Sequence, residues 1–396
     1  MNFSNRITSM QESPIRKLVP LAEEAKRKGK KVYHLNIGQP DIETPKEFMD
    51  AIKKFDEDVL SYSFSQGLPT LINSFIDYYK KYGINFDEDE ILVTNGGSEA
   101  ILFSLLATTD FGDEVLIPEP FYTNYNGFGN SAGINVKPIT TKAENGFKLP
   151  SKEDIQNLIS NKTRVILLSN PGNPTGAVYT PKEMKMLRDI AKENDLYIIS
   201  DEVYREFIYD GFEYMSFGEF EDIQDRVIIT DSISKRYSAC GARIGAIASK
   251  NKNLMKEILK LCQSRLCVPT LEQIGAAALI NVSENYFDEV VAEYKDRRDI
   301  VFNALQEIDG VICKKPHGAF YIIAKLPVEN AEDFVKWLLT DFDVSNETVM
   351  LAPAEGFYAT EDLGKDEVRM SYVLNKDSLK KSMEILKKGL EVYKNK

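Results

Sequence analysis

A lysine and an aspartate each follow an apolar segment with the length and composition of a buried strand. Lys235 comes shortly after the apolar residues 227–230, and Asp201 ends the apolar segment 197–201. An amine can form a Schiff base with an aldehyde, and a carboxylate can hold a ring nitrogen protonated. The pair is what an aldehyde cofactor with a ring nitrogen requires. The alternative is a solvated lysine and an aspartate that caps the next turn.

Short apolar segments alternate with helical patterns through the middle of the chain, as in residues 182–194, where apolar residues recur at three- and four-residue steps. The predicted strands are residues 90–94, 114–118, 136–139, 164–169, 197–200, 227–230 and 244–249. This rhythm predicts an α/β fold with a mostly parallel sheet and helices on both faces. Ligands of such sheets bind at the carboxyl ends of the strands, where Asp201 and Lys235 lie.

The pattern changes after Pro269. A long helical pattern at 286–308 is followed by predicted strands at 320–324 and 368–373 and by a closing helix, which indicates a smaller α+β domain. We therefore predict an N-terminal arm and part of the small domain at 1–40, a large ligand-binding domain at 41–284 and a small C-terminal domain at 285–396. Within the arm, Ser13 and Pro14 predict a helix start, and Gly29 its end.

Composition narrows the class of partner and the compartment. The 396 residues carry a formal net charge of −12, which argues against a nucleic-acid or anionic-membrane partner. No apolar run is long enough to span a bilayer, and the first ten residues show no secretory signal. The four cysteines form no C-x-x-C pair, so we expect no metal site and place the protein in the cytoplasm.

Two sequence features could bind a phosphate. Gly97 and Ser98 stand between a predicted strand and a helix, where free backbone amides and a hydroxyl can meet an anion. A plain helix cap is the alternative, and the segment matches neither the Gly-Lys-Ser/Thr nor the G-x-G-x-x-G pattern. Arg243, between a glycine and an apolar segment, could bind a phosphate with two hydrogen bonds.

The run 169–176, Ser-Asn-Pro-Gly-Asn-Pro-Thr-Gly, fixes a tight turn just past a predicted strand and offers the amide of Asn173 to a cleft. Tyr204, three residues after Asp201, could donate a hydrogen bond to a ring hydroxylate. Arg369 lies inside an apolar segment, where its partner is either a substrate carboxylate or a structural acid. The sequence leaves that choice open.

Taken together, these residues resemble the class I/II aminotransferases, pyridoxal-phosphate-dependent enzymes of fold type I with an aspartate-aminotransferase-like fold. The resemblance covers nearly the whole chain. Its motifs are Asn-Ile-Gly-Gln-Pro-Asp at 36–41, Tyr62 with Gly67, the Asn-Pro-Thr-Gly turn, Ser-x-Ser-Lys ending at Lys235, Gly-x-Arg ending at Arg243, Pro-His-Gly-Ala-Phe-Tyr at 316–321, and Arg369.

The resemblance implies a role for each of these residues. Lys235 would form the internal aldimine with pyridoxal 5'-phosphate and move the substrate proton, Asp201 would pair with the ring nitrogen, and Asn173 and Tyr204 would contact the ring hydroxylate. The phosphate would be held by Gly97, Ser98, Ser232 and Arg243, with Tyr62 from the neighbouring subunit of a homodimer. Tyr122 would stack on the ring, and Arg369, with Gly38 and Asn173, would hold the α-carboxylate.

The implied activity is transfer of an amino group between an L-amino acid and a 2-oxo acid, in two alternating half-reactions. The first guess is aspartate with 2-oxoglutarate. Tyr122 stands where many relatives have tryptophan, Ala242 where many have an aromatic residue, and no second arginine for a distal carboxylate is identifiable. An enzyme for aromatic amino acids or alanine, or a carbon–sulfur lyase on the same fold, therefore remains an alternative.

Overall fold

The computed structural model describes residues 3–395. Its strands are β1 (Lys31–His34), β2 (Ile91–Thr94), β3 (Glu114–Glu119), β4 (Asn135–Thr140), β5 (Thr163–Ser169), β6 (Tyr197–Asp201), β7 (Val227–Ser232), β8 (Gly245–Ala248), β9 (Tyr321–Lys325), β10 (Glu347–Met350), β11 (Ala352–Pro353) and β12 (Glu367–Ser371).

The α-helices are α1 (Asn5–Thr8), α2 (Val19–Arg27), α3 (Lys46–Lys53), α4 (Pro69–Lys80), α5 (Gly96–Thr108), α6 (Asn124–Ala132), α7 (Lys152–Gln156), α8 (Pro181–Glu193), α9 (Ile233–Arg236), α10 (Lys252–Arg265), α11 (Thr270–Ala278), α12 (Asn285–Gln306), α13 (Ala331–Thr340) and α14 (Lys376–Tyr393). Short 3₁₀ helices lie at Glu88–Glu90, Ala143–Asn145, Phe217–Glu219, Glu221–Arg226, Cys240–Ala242, Leu279–Asn281 and Glu355–Phe357.

A seven-stranded sheet in the order β2-β8-β7-β6-β5-β3-β4 forms the centre of the molecule. All of its strands are parallel to their neighbours except β8, which is antiparallel to both β2 and β7. The seven predicted strands are these seven, so the predicted mostly parallel sheet is confirmed. Ser169, Asp201 and Thr230 are aligned across β5, β6 and β7, which brings the carboxyl ends of these strands together.

Helices cover both faces of this sheet. Successive residues of each strand point to opposite sides, so each buried strand contributes apolar side chains to a core on each face. On β6, Ile198 packs into a core with α3, α4, α8 and α11, whereas Ile199 packs into a second core with α5, α6 and α10. The helix predicted at 182–194 is α8, where Thr180 and Glu183 form a capping box. The α/β class with helices on both faces is therefore confirmed.

A second, smaller α+β assembly holds the C-terminal part of the chain, as predicted. Strands β11, β12 and β9 form an antiparallel sheet, and β1 pairs in parallel with β10. The long helix α12 packs against α14. The pairing of β1 with β10 agrees with the grouping of the arm with this assembly, while the boundaries at 40, 284 and 396 stay predictions. Met1, Asn2 and Lys396, at the outer limits of those ranges, lie outside the described residues.

The helix predicted to begin at Ser13 and Pro14 is wrong in its start. The backbone N–H groups of Arg16 and Lys17 donate to the Ser13 carbonyl in an isolated turn, and α2 begins only at Val19. Proline disfavours helical backbone in the residue before it and has no N–H to donate, so Pro20 fits only in the first turn of a helix. The predicted stop is confirmed, since α2 ends at Arg27, just before Gly29 at φ +86°.

All four cysteines are free thiols, and Cys262 is buried on α10. Among residues 3–395, no helix is both long and apolar enough to cross a membrane.

The contact between β8 and the start of α5 leaves no room for a side chain at Gly245. A Cβ there would lie 2.5 Å from the Gly96 carbonyl carbon and 2.6 Å from the Asp231 carbonyl oxygen. We expect Gly245→Ala to lower the free energy of unfolding by about 1–3 kcal/mol, the usual cost of overpacking, measured by denaturant titration. Gly241→Ala is the control, because no atom lies within 4 Å of its Cβ. Equal stability of the two variants would contradict this packing.

Candidate active site

Asp201 and Lys235 lie at the carboxyl ends of two strands, β6 and β7. Asp201 is the last residue of β6, and Lys235 lies in the short helix α9 directly after β7. Because β6 and β7 are parallel neighbours, both residues reach the same edge of the sheet. The sequence-based expectation that strand ends deliver an amine and a carboxylate to one place is met by this topology.

Lys235 is partly buried and held by the N-terminal segment of the chain. Its Nζ donates to the Gly38 carbonyl oxygen at 2.8 Å and lies 3.8 Å from the Cys240 Sγ. The same ammonium lies 5.9 Å from the centre of the Phe320 ring. No carboxylate of residues 3–395 forms an ion pair with it, so the amine is held by neutral groups.

Asp201 is only 6% exposed, and no lysine or arginine of the described chain pairs with its carboxylate. The Tyr125 hydroxyl donates to its Oδ2 at 2.7 Å. Burial raises the pKa of Asp201 to about 6, although hydrogen bonds from Tyr125 and from the Val203 backbone oppose that shift. A cationic partner would stabilise the ionised form of this buried carboxyl group.

Tyr204 and Tyr321 form a buried hydroxyl pair, with their oxygens 2.8 Å apart. Burial raises the pKa of Tyr204 well above its usual value, so the phenol stays protonated and can donate a hydrogen bond. Tyr321 also lies against Gly38, where a Cβ would come within 1.9 Å of the Tyr321 oxygen. Only glycine therefore fits at residue 38.

Arg369 lies in the middle of β12 and is 1% exposed. Its guanidinium donates to the Asn173 Oδ1 at 3.2 Å and to the Asn36 carbonyl oxygen, and it lies 4.6 Å from the centre of the Tyr321 ring. Among residues 3–395 its Nε has no hydrogen-bond partner, and burial lowers the pKa of the guanidinium. No acid of residues 3–395 pairs with Arg369, so the partner left open by the sequence is not a structural acid of the described chain.

Asn173 stands in the predicted turn after β5, where it is buried. Its Oδ1 accepts from Arg369, which leaves its Nδ2 amide to donate elsewhere. The structure therefore joins these two residues, as the resemblance implies.

The groups expected to bind the phosphate surround the start of α5. Gly97 and Ser98 lie in its first turn rather than before it, where backbone amides and the helix dipole favour an anion. Arg243 approaches the same turn, because a Cβ on Gly96 would lie 2.3 Å from an Arg243 guanidinium nitrogen. The Arg243 guanidinium donates to the Cys240 carbonyl oxygen and, within residues 3–395, has no carboxylate partner.

Ser232 is placed differently from the other phosphate candidates. Its hydroxyl donates to the Ile244 carbonyl oxygen at 2.9 Å and caps α9 by accepting from the Ser234 N–H at 3.2 Å. The hydroxyl proton of Ser232 is therefore donated within the chain. Its phosphate role stays a prediction.

Tyr122 and Tyr62 lie at opposite extremes of burial. Tyr122 is partly buried and packs edge-on against Tyr125, with ring centres 5.6 Å apart. Burial raises the pKa of its hydroxyl to about 12. Tyr62, in contrast, is 83% exposed. It is available to a neighbouring subunit.

The residues present fit the cofactor that the resemblance implies. In the part of the chain that the structure describes, Asp201 lacks a cation, Arg243 lacks an anion beside a helix N-terminus, and the Arg369 Nε lacks an acceptor. A protonated ring nitrogen, a phosphate and a substrate carboxylate would supply these three partners.

Sequence reasoning missed two residues of the site. Tyr125, the donor to Asp201, follows Tyr122 by three residues, a helical spacing that could have indicated a shared face. Tyr321 was noted only as part of a motif, yet it contacts Tyr204, Gly38 and Arg369. No local pattern reports contacts over such sequence separations.

The raised pKa of Asp201 predicts how the cofactor-free protein responds to pH. The unfolded carboxyl ionises near its usual pKa of about 4, whereas the folded one ionises only near 6. Stability from the neutral acid is therefore present below pH ~4 and is lost as pH rises through 6, by on the order of 3 kcal/mol. Denaturant unfolding at pH 4.5 and 7.5 should show Asp201→Asn gaining on the wild type at the higher pH. A pH-independent difference would refute this.

Comparisons with known proteins identify the family of the chain. The family model described as "Aminotransferase class I and II" matches residues 30–386. An aspartate aminotransferase of Bacillus subtilis (strain 168) is 30% identical over 404 residues, which cover 99% of this chain and all (100%) of that protein.

Solved structures give the same result for the fold. The structure of an aspartate aminotransferase from Thermotoga maritima matches with a TM-score of 0.90 at 28% identity, covering 98% of this chain and 100% of that one. An alanine aminotransferase from Pyrococcus furiosus matches with a TM-score of 0.90 at 31% identity, covering 99% and 100%. The chain therefore belongs to the class I and II aminotransferases of fold type I, and it is a transaminase that uses pyridoxal phosphate.

Proposed function

We propose that this aminotransferase transfers the amino group between aspartate and 2-oxoglutarate, with Lys235 as its catalytic amine. The names of the Bacillus and Thermotoga relatives support aspartate, and the name of the Pyrococcus relative keeps alanine as the second candidate. Free thiols throughout the described chain are typical of a reducing compartment and support a cytoplasmic enzyme.

One observation carries the assignment of roles: within residues 3–395, three charged groups of the site have no partner of opposite charge. Asp201 and Arg369 are both buried, and Arg243 faces the first turn of α5. The ligand that fits this site therefore has one cationic group for Asp201 and two anionic groups for Arg243 and Arg369. An amino acid bound to pyridoxal phosphate has all three groups.

When bound, pyridoxal phosphate supplies the electron sink that lets the Cα–H bond of an amino acid break. The Lys235 Nζ would take the proton from that carbon and deliver it to the C4′ carbon of the cofactor, since a primary amine can act first as base and then as acid. Asp201 holds a proton at the ring nitrogen of the cofactor, and Tyr204 donates to its hydroxylate.

Arg369 binds the α-carboxylate with Asn173 and Gly38 beside it, and this fixes the orientation of the breaking bond. Gly97, Ser98, Ser232 and Arg243 hold the phosphate. Tyr122 covers the ring. None of these side chains carries a negative charge that would repel the substrate carboxylate or the phosphate.

We propose a homodimer, in which Tyr62 reaches the phosphate of the partner subunit. The segment 59–64 exposes Val59, Leu60, Tyr62 and Phe64, each more than half exposed, and contiguous apolar surface of this kind marks an interface. Ser61 and Ser63 hold the segment through hydrogen bonds with Thr270 and the Val268 carbonyl oxygen. The exposed side chains therefore project from an anchored segment.

An amino-donor panel with 2-oxoglutarate tests the substrate assignment. We expect kcat/KM for aspartate to exceed that for alanine and tyrosine by at least about tenfold, because a site that binds the side-chain carboxylate of aspartate leaves its binding group unpaired when the side chain is uncharged. Highest activity with alanine or tyrosine would refute aspartate as the substrate, and release of ammonia from an amino acid alone would indicate a lyase.

The role of Lys235 is tested by substitution. Lys235→Ala should abolish turnover, whereas Lys256→Ala, at an exposed lysine on α10, should not. Turnover by Lys235→Ala would refute the role of this lysine.

Mixed dimers test Tyr62 and the subunit arrangement together. Tyr62→Ala should weaken cofactor binding, and Lys235→Ala should be inactive. If Tyr62 acts across the interface, co-refolding the two variants restores one complete site in each mixed dimer, so activity should rise well above that of either parent. Tyr82→Ala, a tyrosine that bonds Glu206 within the chain, replaces Tyr62→Ala in the matched control. No recovery, or a monomer by light scattering, would contradict the proposal.

A further inference from the structure

A cavity of about 580 Å³ lies where residues 144–148 and 175–183 meet residues 314–317 of the smaller assembly. Sites for small molecules have volumes of roughly 300–1,000 Å³, so this cavity is large enough for one. No residue of the proposed active site lines it. Buried or partly buried apolar side chains form its walls: Phe147, Val178, Tyr179, Phe212 and Pro316. These walls fit a ligand with an apolar body.

His317 adds an uncharged ring to the walls of the cavity. Its ring stacks on that of Phe212, with ring centres 4.4 Å apart and an angle of 22° between the ring planes. Burial lowers the pKa of His317 from its usual value of 6.5, so the imidazole is neutral at pH 7. The wall is therefore aromatic and not cationic at this point.

Two lysines that line the cavity, Lys148 and Lys314, are exposed and have no acidic partner among residues 3–395. They come from different segments of the chain. A Cβ on Gly146 would lie 3.5 Å from the Cβ and Cγ of Lys314, so the stem of this lysine lies against the turn that precedes Lys148. The two ammonium groups are therefore candidates for binding the same anion.

The other charged groups that line the cavity have partners within the described chain. Lys315 pairs with Asp299 at 2.9 Å, and the exposed Glu144 lies 3.9 Å from the Lys325 Nζ. The Glu183 carboxylate accepts hydrogen bonds at 2.7, 2.8 and 3.0 Å. The unpaired charge at the cavity is therefore positive, and it favours an anionic group on the ligand.

Two segments of the chain run from the cavity to the active site. The turn after β5 places Asn173 in the site and contributes residues 175, 177 and 178 to the wall of the cavity. The segment 316–321 begins with two lining residues and ends with Tyr321, whose ring lies against Arg369. A ligand in the cavity would contact both segments.

Close contacts join these two segments to each other. The N–H groups of His317 and Gly318 both donate to the Gly176 carbonyl oxygen, at 3.0 and 2.9 Å. A Cβ on Gly176 would lie only 2.4 Å from the Tyr321 carbonyl oxygen. Because tightly packed segments transmit strain, a displacement at the cavity wall would also move Asn173 and Tyr321.

We propose that this cavity is a regulatory site for a small carboxylic acid with an apolar ring, whose carboxylate binds Lys148 and Lys314. The ring of the ligand packs against Phe147 and Phe212. The ligand acts on the reaction through the two shared segments and does not compete with the amino donor. This inference goes beyond the proposed function and does not depend on which amino acid is the substrate.

Calorimetry on the cofactor-loaded enzyme tests the site with 1-naphthoate and its neutral amide, 1-naphthamide. We expect naphthoate to bind at least about fivefold more tightly, since one exposed charge pair contributes up to roughly fivefold in affinity. The double variant Lys148→Met with Lys314→Met should bind the two probes within about twofold of each other. The control, Lys142→Met with Lys182→Met, replaces two exposed lysines outside the lining and should keep the wild-type preference.

Arg369→Lys separates the cavity from the active site, because naphthoate bound at the α-carboxylate position would lose affinity in that variant. We expect its naphthoate affinity to stay within about twofold of the wild-type value. In wild-type kinetics, naphthoate should change kcat when amino donor and oxo acid are both saturating. A competitor for the active site cannot produce that change.

Four outcomes would overturn the proposal. They are no binding of naphthoate, equal affinity for naphthoate and naphthamide, an undiminished preference for naphthoate in the Lys148→Met, Lys314→Met variant, and loss of naphthoate binding in Arg369→Lys. An unchanged kcat with naphthoate bound would overturn the regulatory role. The proposed function would stand in each of these cases, because the amino-donor panel tests it independently.

Discussion

The burial of two charged groups without counter-charges in the described chain, Asp201 and Arg369, is the constraint on which the site depends. Removing an ion from water costs several kcal/mol unless an opposite charge compensates it. Here part of that cost shows as the raised pKa of Asp201 and the lowered pKa of Arg369. A ligand that brings a ring cation and a carboxylate offsets both, so its binding also stabilises the fold.

Buried charged residues next to the site, in contrast, have partners of opposite charge within the chain. Glu202, directly after Asp201, pairs with Arg205, and Asp231, four residues before Lys235, pairs with Arg236 through both of its oxygens at 2.8 Å. These pairs are satisfied inside the chain and hold the backbone on either side of the functional residues. The neighbours thus supply rigidity, and the site residues keep their charge for the ligand.

The sequence was sufficient for the sheet and the strand ends, because apolar segments and their period are local signals. It failed at Ser13, where Pro20 overrides a plausible cap. It also left the partner of Arg369 undecided, since a partner acid could come from any part of the chain and only the structure shows that none of residues 3–395 supplies it. The attachment of the N-terminal segment to the site also depends on contacts between distant residues, as in the bond between Asn36 and Arg369, 333 residues apart.

Tyr321 shows how the separate parts become one site. Its hydroxyl bonds that of Tyr204, its ring lies against Arg369, and its oxygen occupies the space that any side chain at Gly38 would need. The carbonyl of that same glycine accepts from the Lys235 Nζ. A displacement of Tyr321 would therefore move the carboxylate clamp and the acceptor of the lysine together. Tyr321 packs both against Arg369, which binds the substrate, and against Gly38, which holds the Lys235 amine. The substrate and the amine that acts on it are therefore positioned by the same side chain.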